Sequence, residues 1–109
     1  MSLPKDIQAS AEWLLLQFCL SGVINDGHAE FRIRGSQATL YKSVPAWSQP
    51  RHSWSRRPFA RLRFDLQARL WTLDYQDETR KWRNYGLQPT ADLSSLLDEV
   101  AADPVGVFL

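Results

Sequence analysis

The chain has a single cysteine, Cys19, among 109 residues. No internal disulfide can form, and a reducing compartment fits best. Long apolar runs are missing too. The longest, around "WLLLQFCL", is too short to span a bilayer. The residues before it include Asp6 and Glu12 rather than the Lys/Arg cluster of a signal peptide. A soluble cytoplasmic protein with no membrane partner is the expectation. Histidine is scarce: His28 and His52 are the two present, and neither stands in a Cys/His spacing that builds a metal site. There is no phosphate-binding glycine loop and no nucleophile elbow. Cys19 lies in an apolar helical pattern without a neighbouring base, which reads as packing rather than nucleophile. A site assembled from Asp74, His52 and Arg63 has nothing in the sequence to argue for it. Catalytic residues, metal ligands and cofactors are therefore not expected.

What is present is the material of one domain, residues 1–109. The chain is long enough to bury a core without staples. It carries five Trp, each a large apolar side chain with one N–H that needs a partner. The net charge of +1 hides a segregation. Residues 28–86 hold twelve Lys/Arg against five Asp/Glu, and the remainder holds one Lys against seven acids. A basic middle with acidic ends bears on partners and steering rather than on fold.

Residues 5–21 read as a helix, with Ile7, Ala11, Leu14, Leu15, Phe18 and Cys19 at helical spacing and Gly22 as the stop. Trp13 and Leu16 widen the stripe, as if the helix were buried on more than one side. A sheet follows over residues 29–86. Gly35-Ser36 suits a two-residue hairpin turn, which sets Phe31 against Leu40 and Ile33 against Ala38. Arg32 and Arg34 then share the other face with Thr39 and Tyr41. Residues 58–66, 70–76 and 81–85 alternate as three more strands. A loop closing with Asp65 opposite Leu70 sets Phe64 beside Trp71 and Leu62 beside Leu73. A short loop at 77–80, in either of two registers, sets Trp82 beside Leu73 or Tyr75. The aromatic side chains Trp71, Tyr75 and Trp82 then form core. Arg61, Arg63, Lys81 and Arg83 collect on the opposite face, with Tyr85, while Asn84 falls awkwardly on the apolar side. Thr90 or Asp92 caps a helix over 91–102 with the stripe Leu93, Leu96, Leu97 and Val100. An apolar tail occupies 105–109. The expected fold is α+β: a five-stranded antiparallel β-meander, with an N-terminal and a C-terminal helix packed on one face.

Pro45 and Trp47, Ala60 to Phe64, Trp71 to Leu73, Lys81 to Tyr85, and Asp103 to Phe108 together resemble a small bacterial family, domain of unknown function three thousand and twenty-four. The resemblance spans roughly residues 30–109. It departs from the family pattern at Val44, Asp74 and Leu109, where an Arg, an aromatic and a Trp are the usual residues. The family carries no established activity. The resemblance implies a single domain and transfers no functional residue.

Two regions are candidates for binding. One is the outer sheet face, where Arg32, Arg34, Arg61, Arg63, Lys81 and Arg83 stand with Tyr41. Cations flanked by rings suit a phosphate backbone and unstacked bases. The plainer alternative is a solvated face with cross-strand charge pairs such as Arg61–Asp74. The other candidate is the long loop 44–57, with Trp47, Trp54 and His52, which either plugs the core edge or folds over the outer face. The leading expectation is a non-catalytic module binding nucleic acid or another polyanion. The alternative is a regulatory protein meeting an acidic protein partner, as a monomer or a homodimer. The tail "VGVFL" either packs on its own core or adds to a sheet edge.

Overall fold

The computed structural model describes residues 2–21, 28–45 and 54–108. Helix α1 (Lys5–Leu20) leads into strands β1 (His28–Arg34), β2 (Gln37–Pro45), β3 (Trp54–Asp65), β4 (Leu70–Gln76) and β5 (Trp82–Asn84), and helix α2 (Leu93–Ala102) follows. The strands form one antiparallel sheet in the order β1-β2-β3-β4-β5, a meander. Sequential neighbours joined by short loops are what antiparallel pairing favours.

The first hairpin turns at Gly35, whose φ of 57° is the left-handed conformation that glycine adopts freely. Phe31 faces Leu40 and Ile33 faces Ala38, as the alternation requires. Strand β3 pairs with β4 with Asp65 opposite Leu70, Phe64 opposite Trp71 and Leu62 opposite Leu73. The Phe64 and Trp71 rings lie 5.0 Å apart. Between Leu40 and Tyr41 the β2–β3 register shifts by one, and Phe59 has no partner on β2. The bulge keeps the twelve-residue strand paired on both sides of one extra residue, and beyond it Arg57 stands opposite Lys42 on the inner side.

The inner face of the sheet packs under both helices. Leu15 and Phe18 of α1 and Leu96, Leu97 and Val100 of α2 form one buried cluster with Ala38, Leu40, Leu62, Phe64, Trp71 and Leu73. Full burial of each large apolar side chain contributes about 1.5–3 kcal/mol. The two helices also touch each other. Asp92 caps α2, its carboxylate accepting from Ser94 N at 3.1 Å. Helix α1 is buried on one side only. Trp13 and Leu20 are 62% and 72% exposed, and Leu16 is also exposed, so the widened stripe does not face a second layer. No helix among the described residues is long and apolar enough to cross a membrane.

Two expectations about the strands change. Strands β2 and β3 run into the stretch expected to be loop 44–57, and reach Pro45 and Trp54. Trp47 and His52 lie outside the described residues. The second change is at β5. Asp77 N donates to Lys81 O at 2.9 Å, and Arg80 between them has φ 64°. The loop is therefore three residues long, with a left-handed third residue. Three loop residues pair positions of like parity, whereas two or four pair positions of unlike parity. Trp82 thus pairs with Gln76, and Asn84 with Asp74. Trp82 leaves the core for the outer face, where Asn84, now polar on a polar face, is no longer out of place. Tyr85 N bonds Leu73 O at 2.9 Å, and its ring moves to the inner side. There it packs against Tyr75 and Phe108 and donates to Glu99 of α2 at 3.1 Å.

The tail packs on its own core. Asp103 ends α2 in a left-handed conformation, and its carboxylate accepts from the backbone N–H groups of Val107 and Phe108 at 2.9 and 3.1 Å. Phe108 is buried as a result.

Candidate functional site

On the sheet face away from the helices, alternation on β1 presents Glu30, Arg32 and Arg34. Strand β2 adds Gln37, Thr39 and Tyr41 opposite them. Beyond the bulge β3 contributes Arg56, and before it Arg61 and Arg63. Strands β4 and β5 contribute Thr72, Asp74, Gln76 and Trp82.

Asp74 is the centre of this face. Arg61 Nε donates to its Oδ2 at 2.9 Å, and Arg63 Nη2 donates to its Oδ1 at 3.0 Å. Its side chain is 1% exposed, while those of Arg61 and Arg63 are 22% and 47% exposed. A buried carboxylate is tolerable only when paired and hydrogen-bonded, and here two guanidinium groups supply both. The Arg61 guanidinium carbon also lies 4.7 Å from the centroid of the half-buried Trp82 ring, a cation–π stack. So the middle of the outer face is partly covered by its own side chains.

The same arrangement recurs toward β1. Arg56 pairs with Glu30 at 3.0 Å and lies 5.8 Å from the Tyr41 ring centroid. Two guanidinium–ring stacks thus stand on one face. Arg32 and Arg34 are exposed and have no ion-pair partner among the described residues.

The residues expected at the site separate as follows. Arg32, Arg34, Tyr41, Arg61 and Arg63 share the outer face. Lys81 precedes β5 in the turn. Arg83 of β5 pairs with Tyr75 of β4, on the parity opposite to Trp82, and its guanidinium binds Asp77 at 2.9 Å. Neither extends the basic face, because the three-residue loop exchanges the two sides of β5. Trp54 opens β3, and Trp47 lies outside the described residues. Two further participants lie outside the expected set. Arg56 fell in the supposed loop, and Trp82 was assigned to the core. The left-handed Arg80 that moves Trp82 has no composition signal, since glycine or asparagine is the usual residue there.

The thiol of Cys19 is pushed up to about 11 by burial, with Glu30 adding to the shift. A thiol so raised is a poor nucleophile near neutral pH.

The fold and this face define a small helix–meander–helix α+β domain with an arginine-rich sheet surface. The chain belongs to the family described as domain of unknown function DUF3024, whose model matches residues 4–109. No curated protein and no solved structure matches it.

Proposed function

We propose that the protein is a non-catalytic binding module whose outer sheet face takes single-stranded nucleic acid. The observation that supports the reading is the pairing of cations with outward rings, Arg61 on Trp82 and Arg56 on Tyr41, beside Arg32 and Arg34, which have no ion-pair partner among the described residues. Flat rings on a sheet give unstacked bases a surface, and arginines give the phosphates a counter-charge. Arg61 and Arg63 are partly occupied by Asp74, so Arg32 and Arg34 carry the phosphate contacts in this reading, and Trp82 and Tyr41 the base contacts.

A second reading has one observation in its favour. This face already holds carboxylates, Glu30 on Arg56 and Asp74 on Arg61 and Arg63. An acidic protein partner would extend that pattern. The two readings differ in salt response and ligand class. Phosphate binding weakens steeply with salt across sequences, whereas a protein contact is saturable and centred on a few anchors.

Fluorescence anisotropy of labelled single-stranded DNA, single-stranded RNA and duplex DNA, at low and high salt, tests the first reading. Salt-sensitive binding to the single strands, weakened by a double Arg32→Ala/Arg34→Ala variant and by Trp82→Ala, is expected. Absence of binding at low salt removes it and leaves the acidic partner.

A further inference from the structure

Strand β3 runs past the end of β4. Their pairing stops at Arg61 opposite Asp74, although β3 begins at Trp54. Residues 56–60 therefore have no pairing partner on β4 among the described residues. Across the gap stands the β4–β5 turn, and the C-terminal tail closes it from the helix side. Together they form a cleft of about 490 Å³. Ligand sites commonly occupy a few hundred Å³ and combine an apolar wall with a few convergent polar groups.

Here the wall is Phe59, Val107 and Phe108, and the cations besides Arg56, which is paired with Glu30, are Lys42, Arg57 and Arg80. The three cations come from three separate segments: β2, β3 and the turn. Lys42 Nζ donates weakly to the Phe108 carbonyl at 3.4 Å and lies 5.9 Å from the Phe59 ring centroid. Among the described residues none of the three has a carboxylate partner. Asp77 lines the same cleft, but its carboxylate is committed to Thr79, Lys81 N and Arg83. Glu78 is then the one acid left to oppose three cations among the described lining residues. The wall is held in place, because the Asp103 carboxylate fixes the backbone of Val107 and Phe108.

We infer that this cleft binds a phosphate group. Three like charges gathered in a half-enclosed space repel one another until an anion is shared between them, and arginine forks match phosphate oxygens in geometry. Two sources present the same chemistry: a phosphorylated small molecule, or the terminal phosphate of a nucleic-acid strand. Arg56 lines the cleft and also faces Tyr41 on the outer face, so a strand end has a path into it. The site does not depend on the outer-face reading, since a free phosphorylated ligand would fill it alone.

Backbone-amide chemical shifts of the full chain, titrated with pyrophosphate, adenosine 5′-monophosphate and adenosine, test the site. The two phosphate compounds should give saturable shifts at residues 42, 57, 59, 78–80 and 107–108, and adenosine none. The double Arg57→Ala/Arg80→Ala variant, with both positions exposed, should weaken them at least about tenfold, and Arg32→Ala should leave them unchanged. An oligonucleotide with a 5′-phosphate that binds more tightly than its 5′-hydroxyl twin, with the same amides shifting, assigns the site to a strand end. Equal binding of the twins assigns it to the free ligand. Absence of saturable shifts at millimolar pyrophosphate and nucleotide, or shifts only at Arg32 and Arg34, overturns the proposal.

Discussion

Asp74 holds two arginines at once, with Arg61 at 2.9 Å and Arg63 at 2.7 Å, while its own side chain is almost fully buried. This makes the centre of the outer face structural as well as charged. Exposed charge pairs contribute within about 1 kcal/mol, and a solvated Arg61 would be of that kind. A buried carboxylate stripped of its partners is different, and costs about 3–5 kcal/mol. The double Arg61→Ala/Arg63→Ala variant should therefore lose stability on that scale in urea unfolding, with Arg63→Ala alone losing much less. If the double variant unfolds at the parent's midpoint, Asp74 does not need its partners.

The two tryptophans of the second half divide the same way. Trp71 is buried against Phe64, and its backbone pairs with Thr90 in both directions. Trp82 is half-buried under one arginine. Trp71→Ala should cost about 3–5 kcal/mol, as buried aromatic truncations do. Trp82→Ala should cost less than half of that, because its ring leaves no core cavity. Equal losses in thermal or urea melts would return Trp82 to the core.

The contrast between these tryptophans shows what was legible in the sequence. Strict alternation in 60–65 and 70–76, joined by a four-residue loop, leaves one sensible register, and the structure has it. Gly35-Ser36 fixed the first hairpin in the same way. Strand β5 is three residues long, and its register hangs on the loop before it. One residue of difference exchanges the faces, and Trp82, apolar with a polar edge, fits either. The Asp74–Arg61 pair was readable from register. Its burial was not, since that goes with a second arginine, Arg63, closing on the carboxylate and with Arg61 stacking on Trp82. The cleft at Lys42 and Arg57 is not legible because the alternation of β3 is visible only from residue 58, whereas the strand begins at Trp54.

Cys19 offers a test of packing. Burial next to an acid keeps its thiol protonated, up to about 11. Thiolate is the alkylated form, so iodoacetamide at pH 8 should react slowly with the folded chain and far faster in urea. Equal rates would mean that the inner side of α1 is open near its C-terminal end.

The β4–β5 turn that sets the register of Trp82 is itself pH-sensitive. The Asp77 carboxylate accepts from Thr79 Oγ1 at 2.7 Å, Thr79 N at 2.8 Å, Lys81 N at 3.0 Å and Arg83 Nε at 2.9 Å. These bonds favour the charged form and hold its pKa far below the usual carboxylate range, with the Thr79 hydroxyl first among the causes and Arg83 next. An unfolded Asp titrates near about 3.9. Because the folded value is depressed, the stabilisation is fully present above that pH. It is lost progressively as pH falls through the folded value. Asp77→Asn should therefore be less stable than the parent at pH 7, and the gap between their urea midpoints should narrow below about pH 4. A gap that stays constant from neutral to strongly acidic pH would mean that the turn is held by Asp77's shape rather than by its charge.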